Sequence, residues 1–190
     1  MNGFIRVIGL IFLIKLAFAK PDSTPRCGIY LSAWVAGSNR IDTILQIVNQ
    51  TRINSFVIHI KDEWGNIYIP VNHPLAQKTY AVRRAIKDLP GLVKKLKAHQ
   101  IYVIGKIDCF KNKRLAELFP ALAVLSKKTG DIWRDEKGLA WTDPFAQVVW
   151  ELNIAIALEL ARAGFDEIQF DYVRFPDGGD LDAVSYTHLT

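Results

Sequence analysis

Two hydrophobic periods alternate along this chain, one of about two residues and one of about 3.6, and their order predicts its elements. Residues 28–34 (GIYLSAW) read as a strand, and residues 41–50 (IDTILQIVNQ) have helical spacing with Ser38 or Asn39 as N-cap. Residues 54–61 (NSFVIHIK) are a second strand-like run, followed by a long loop from 62 to about 85 that contains Gly65, Pro70 and Pro74. Residues 89–100 (LPGLVKKLKAHQ) form an amphipathic helix with Pro90 in its first turn, and 101–108 (IYVIGKID) form a third strand. A short helix starts at 114–118 and stops near Pro120; residues 126–141 are polar and turn-rich around Gly130 and Gly138. Pro144 opens a long helix over about 145–163, Gly164 caps it, and 165–171 (FDEIQFD) are a fourth strand.

Crossovers of this length imply parallel strands joined with right-handed connections. Two architectures then compete, a doubly wound sheet and a (β/α)8 barrel. Side-chain parity separates them, because successive strand residues face opposite sides. Ile29, Leu31 and Ala33 oppose Tyr30, Ser32 and Trp34; Phe56, Ile58 and Ile60 oppose Val57, His59 and Lys61. Val103, Gly105 and Ile107 oppose Ile104, Lys106 and Asp108, and Ile168 and Phe170 oppose Glu167, Gln169 and Asp171. Each strand has one small or apolar face and one that turns polar toward its C-terminal end. A doubly wound sheet carries helices on both faces and should read apolar on both. A barrel places helices outside and its active site at the C-terminal mouth, which fits the polar parity.

The expected fold is therefore α/β: an incomplete (β/α)8 TIM barrel, the first four parallel strands with intervening helices. A whole barrel takes roughly 250 residues, and a four-stranded arc leaves two edges and an inner face uncovered. Residues 178–190 (GGDLDAVSYTHLT) show no fourth helix and are expected to be an unstructured tail. Their last part, 184–190, resembles adaptor-derived read-through, so His188 is assigned no chemistry.

The N-terminus changes the picture of location. A basic start ending at Arg6, the apolar run 7–14 (VIGLIFLI) and small residues at Ala17 and Ala19 have the pattern of a signal peptide cut after Ala19. The competing reading is an uncleaved anchor, but the run is short for a span of ~20 residues, and Lys15 interrupts it. Either route predicts a secreted or cell-envelope protein, with 1–19 as leader, 20–26 (KPDSTPR) as a polar tether and 27–177 as the folded domain. The formal net charge of +5 falls to about +3 without Arg6 and Lys15, too mild to argue for nucleic acid. No membrane association beyond the export signal and no specific protein partner is expected. Cys27 and Cys109 fall at opposite ends of their strands, roughly 20 Å apart, beyond the ~7 Å that a disulfide tolerates. No P-loop, dinucleotide glycine pattern or zinc spacing occurs, so no cofactor or metal is expected.

Three stretches carry a family signal. They are Ile60-Lys61-Asp62 with Gly65, Trp141-Thr142-Asp143-Pro144-Phe145 at the head of the long helix, and 164–176 (GFDEIQFDYVRFP). Together they resemble the bacterial putative glycosyl hydrolase domain family of uncharacterised activity, itself distantly similar to the alpha-amylase-like barrels. The resemblance covers about 27–177, the N-terminal half of such a domain. It implies that Asp171, at the end of the fourth strand, stands where those barrels place a catalytic nucleophile. It also implies an acid/base on a later strand, an acidic residue more usual at the His59 position and Arg more usual at the Lys106 position.

The chemistry agrees with that placement. A retaining glycosidase needs a carboxylate at the anomeric carbon and a second carboxyl ~5 Å away. Arg174 and Lys106 are expected to stabilise the charge on Asp171; the competing reading makes Asp171 with Arg174 a structural ion pair at the strand end. Glu167 lies four residues down the same strand, about 13 Å away, and cannot serve as the partner, so the chain as given is expected to be inactive. His59, Lys61, Asp62, Trp64, Lys106, Trp133, Trp141, Gln169 and Arg174 are the candidate carbohydrate contacts. Against this, Lys61 and Asp62 could be an internal ion pair, His59 an interior histidine, and Trp133 and Trp141 pins for their loop. Trp150 reads as core; His73 and His99 read as structural. Three functions follow: an exported glycoside hydrolase, a non-catalytic carbohydrate-binding barrel, and a metal-dependent barrel hydrolase. The last needs paired histidines that this segment lacks.

Overall fold

The computed structural model describes residues 25–188. The expected leader and most of the tether fall outside them. The order is β1 (Gly28–Ser32), α1 (Ala33–Ala36), α2 (Arg40–Val48), β2 (Ser55–Lys61), α3 (Pro74–Lys78), α4 (Leu89–Ala98), β3 (Tyr102–Asp108), α5 (Lys113–Leu118), β4 (Leu125–Ser126), α6 (Gln147–Ala163), β5 (Glu167–Asp171) and β6 (Val184–Ser185). Four strands form one parallel sheet in the order β1-β2-β3-β5. This is the expected α/β arc of a partial barrel.

The register explains why the arc has two unlike faces. Leu31, Ile58, Gly105 and Ile168 align across the four strands, and so do Ser32, His59, Lys106 and Gln169. The first row faces the helices. Ile41, Leu45 and Val48 of α2, Leu89, Leu92 and Leu96 of α4, and Val149, Leu152, Ile156 and Leu160 of α6 bury against it. Each such side chain contributes about 1.5–3 kcal/mol when removed from water. Gly105 is small because α6 lies on it: a Cβ there would stand 2.5 Å from Leu160 Cδ1. The second row is left uncovered by any helix among the described residues.

Local signals set the boundaries. Pro90 sits in the first turn of α4, and the Asp88 carboxylate accepts the Gly91 N–H at 2.9 Å. Gly164 ends α6 in the left-handed conformation, φ 92°. Asn39 occupies the N-cap of α2, but Ser38 supplies the side-chain bond, accepting from Arg40 N at 3.3 Å.

Three expectations are corrected, and a fourth, the turn-rich 126–141 stretch, gains detail. The first strand ends at Ser32, and Ala33 and Trp34 belong to α1, whose N-terminus Ser32 caps. The 62–85 loop contains α3, capped by His73, whose Nδ1 accepts from Leu75 N at 3.2 Å. The 126–141 stretch is a bridged ladder, with Leu125 opposite Ile132 and Arg134 opposite Ala140. The tail is structured. Leu181–Ala183 make a turn of 3-10 helix, Val184–Ser185 pair antiparallel with Leu125–Ser126, and Ala183 and Val184 pack on Trp133 and Trp141. His188 is engaged there as well: its backbone N–H donates 2.8 Å to the buried carboxylate of Asp143. Burial alone would raise the Asp143 pKa, but the bonds from Phe145, His188 and Thr187 hold it below the usual range.

Cys27 is exposed, Cys109 is buried, and both are free. No helix among the described residues is long and apolar enough to cross a membrane.

Candidate active site

The uncovered row converges at the C-terminal ends of the strands, where chain turns leave backbone and side chains free to meet a ligand. Asp108 of β3 and Asp171 of β5 stand in register. One ammonium joins them: Lys106 Nζ lies 2.9 Å from Asp171 Oδ2 and also bonds Asp108 Oδ1. The other Asp108 oxygen accepts from His59 Nε2 at 3.1 Å, and His59 Nδ1 pairs with the Tyr30 hydroxyl. A continuous polar chain, Tyr30–His59–Asp108–Lys106–Asp171, thus crosses all four strands.

Burial differs along it. The Asp108 side chain is 1% exposed and the Asp171 side chain 39%. Burial tends to raise the Asp108 pKa, but hydrogen bonds from His59 and Lys106 outweigh it and hold the carboxyl below its ordinary range. Burial tends to lower the Lys106 pKa, and the bonds to Asp108 and Asp171 reverse that into a net rise. Asp171 is pinned twice, since its Oδ1 also accepts the Tyr172 N–H at 2.8 Å. Tyr172 takes φ 51°, a left-handed turn unusual for a side-chain-bearing residue. That turn swings its ring over the site, 5.7 Å from Lys106 Nζ and 5.3 Å from Lys111 Nζ.

The predicted contacts divide. His59, Lys106, Gln169 and Asp171 share the open face. Lys61 does not join them: a bulge between His59 and Lys61 puts Lys61 in register with Ile107, in the helix-facing row. It is fully buried and donates to the backbone oxygens of Asp108 and, at 3.1 Å, Cys109. Burial lowers its pKa to about 8. Above that pH the neutral amine still keeps two N–H donors, matching the two carbonyls.

Asp62 is also turned inward, accepting from Asn66 Nδ2 at 3.0 Å and from the Tyr68 hydroxyl at 2.6 Å. Trp133 and Trp141 are buried as loop pins: their indole N–H groups donate to Asp180 O at 2.8 Å and Asp135 Oδ2 at 3.2 Å. Arg174 pairs with Asp177 and lies over the Tyr172 ring at 5.2 Å, so Lys106 alone of the two expected cations pairs with Asp171. Trp64 is 48% exposed and borders a groove of about 260 Å³ with Lys113 and Glu117. Trp150, expected in the core, is exposed on α6 instead, with its indole N–H on Pro144 O at 2.6 Å.

Sequence reasoning missed Tyr30 and Asp108 as site residues. The spacing Lys106-x-Asp108 on one strand parity was the available signal. His59, Glu63 and Asp108 also offer ligand atoms within 4.8 Å of one another. Their polar atoms are largely committed already, because Tyr30 and Asp108 take both ring nitrogens and Lys106 and His59 take both Asp108 oxygens. A cation there would compete with the His59–Asp108 bond or with the Lys106 ammonium.

Comparison with known proteins places this geometry. The profile of the family described as "Putative glycosyl hydrolase domain" matches residues 28–190. A crystal structure of a hypothetical protein from Ruminiclostridium thermocellum ATCC 27405 is 36% identical, with TM-score 0.75 over 84% of this chain and 82% of that one. The alpha-galactosidase from Lactobacillus brevis matches at 14% identity and TM-score 0.54, over 87% of this chain and 22% of that one. The Flavobacterium johnsoniae chitobiase matches at 18% identity and TM-score 0.52, over 76% of this chain and 23% of that one. These last two likenesses concern the barrel fold, and the chain spans less than a quarter of either enzyme. No curated protein matches the chain.

Proposed function

The chain belongs to the putative glycosyl hydrolase domain family, and from that premise we propose that it forms the Asp171-bearing half of an exported glycoside hydrolase acting on a polysaccharide or cell-wall glycan. The observation that carries this is the accessible Asp171 carboxylate, held at 2.9 Å by Lys106 at the C-terminal end of the sheet. A nucleophile must reach the anomeric carbon, and pinning by Lys106 and the Tyr172 N–H fixes its direction of approach. His59, Lys106 and Gln169 in one row offer donors and acceptors to sugar hydroxyls, and Trp64 offers a stacking face in the groove with Lys113 and Glu117.

The second carboxyl comes from elsewhere. Asp108 is enclosed, and its depressed pKa keeps it from donating a proton at neutral pH. Residues 25–188 therefore bind glycan without turning it over. Export rests on the leader pattern of 1–19.

The test compares wild type with Asp171→Asn inside a whole barrel containing this segment, on a panel of glycans. Loss of turnover with binding retained supports the nucleophile assignment. Unchanged turnover removes it, and binding without turnover by the wild-type barrel assigns a carbohydrate-binding role instead.

A further inference from the structure

Asp171 uses only one end of the polar chain. The other end is the Tyr30 hydroxyl, and Tyr30 is 55% exposed on the open face of β1. Strands in a sheet are ~4.8 Å apart, so β1 and β5 are separated by roughly 14 Å at most. Tyr30 and Asp171 therefore approach a bound molecule from opposite edges of the sheet.

The hydrogen bonds of this end have a direction. Ionised Asp108 can only accept, so His59 Nε2 carries a proton and donates it to Asp108 at 3.1 Å. In the neutral Nε2–H tautomer Nδ1 is a lone-pair acceptor, and the Tyr30 O–H donates to it. Hydroxyl, imidazole and buried carboxylate stand in series on β1, β2 and β3, and their order repeats the logic of an activated hydroxyl. Asp108 cannot turn away, because Lys106 holds its other oxygen. The rings of Tyr30 and His59 are 5.7 Å apart and tilted by 59°, so the pair meets edge-on through the hydroxyl and not by stacking.

We propose that Tyr30, His59 and Asp108 form a proton relay whose exposed phenol carries out acid–base chemistry on a hydroxyl-bearing or electrophilic group bound at the mouth. In the base direction a substrate O–H gives its proton to the Tyr30 oxygen, while the Tyr30 proton passes to His59 Nδ1. The step ends with a substrate alkoxide and an imidazolium, whose charge Asp108 balances. The reverse transfers restore the site. Tyr30 and His59 are the catalytic pair; Asp108 is a positioning residue that sets the tautomer. Burial raises the Tyr30 pKa, with Lys106 opposing, so the phenol is neutral at rest and loses its proton only as a base takes it.

The reactivity of the phenol tests this without any glycan, which keeps the outcome separate from the glycosidase assignment. The whole chain is treated with a small arylsulfonyl fluoride. The Tyr30 oxygen displaces fluoride from sulfur, the phenol proton leaves through His59, and the tyrosyl sulfonate is located by peptide mass spectrometry. Tyr80, 81% exposed, is the internal reference. Tyr30 should react about 100-fold faster than Tyr80, the scale of one general-base contribution. His59→Gln and Asp108→Asn should each bring it down to the Tyr80 rate. A wild-type Tyr30 no faster than Tyr80 overturns the relay, and so does an acceleration that survives His59→Gln. Long-range proton–nitrogen NMR of the wild type adds a readout independent of any variant's folding: a neutral His59 ring protonated at Nδ1 also overturns it.

Discussion

Lys106 and Asp171, from adjacent strands β3 and β5, are joined by a 2.9 Å ion pair, and the same Lys106 ammonium bonds Asp108. Without it, two carboxylates in register face each other across the sheet. Lys106→Met should therefore destabilise the domain by about 3 kcal/mol, the usual cost of removing one partner from a buried charge network. Lys106→Arg should lose less, because the guanidinium keeps the charge and adds donors. Urea denaturation at neutral pH measures both. Equal losses for Met and Arg would mean that shape matters at this position and charge does not.

Asp108 predicts an acid limb to stability. Its folded pKa is held below the ordinary value of 3.8. A depressed carboxyl contributes stability that is present above its unfolded pKa and lost as pH falls through the folded one. Asp108→Asn should cost about 3 kcal/mol at neutral pH. The gap between wild type and variant should hold down to about pH 4 and close below it. A gap unchanged at about pH 2 would show that the carboxylate charge is not what stabilises the network.

Lys61 predicts the opposite limb. Burial lowers its pKa from 10.5 to about 8. Between those values the unfolded chain binds a proton that the folded chain refuses. The stability it contributes is complete above pH 10.5 and is lost as pH falls through about 8. The span corresponds to about 3 kcal/mol. Wild type should thus gain on Lys61→Met as pH rises from about 8 to about 10. Tyrosines that titrate in the same range are common to both proteins and cancel in the difference. A flat difference would place the amine in contact with water.

What the chain disclosed beforehand, and what it withheld, follows from the range of each interaction. The four strands of the sheet were legible because Phe56, Ile58, Ile60, Val103 and Ile107 alternate against helices, and α6 because its apolar period runs from Val149 to Leu160 and ends at Gly164. The side of Lys61 was not legible, since a bulge shifts parity by one residue and leaves no mark in composition. Trp133 and Trp141 stayed open between sugar platform and loop pin because the segment that covers them, around Ala183 and Val184, read as structureless. The helix α3 hid in a loop because a single turn capped by His73 has no room to show a period. Asp171 was visible from motif and strand end together. Its partner choice, Lys106 in place of Arg174, depends on the Tyr172 turn and needed three dimensions.

The two tryptophans Trp141 and Trp64 separate the roles of pin and platform. Trp141 is buried, meets the Tyr172 ring edge-on at 5.7 Å and donates to Asp135. Trp141→Ala removes that packing and leaves the Asp135 carboxylate short of a donor, so about 3–5 kcal/mol should be lost. Trp64 is half-exposed, with the Lys113 ammonium 4.9 Å above its ring. Trp64→Ala should change stability by no more than about 0.5 kcal/mol. If its free face stacks on a sugar, glycan affinity should fall about tenfold, equivalent to 1.4 kcal/mol. Thermal melts and glycan titrations on the same two variants test the division. A stable Trp141→Ala with weakened binding would reverse the two roles, because it would mean that the tail does not cover Trp141 in solution and that the ring is free to meet a ligand.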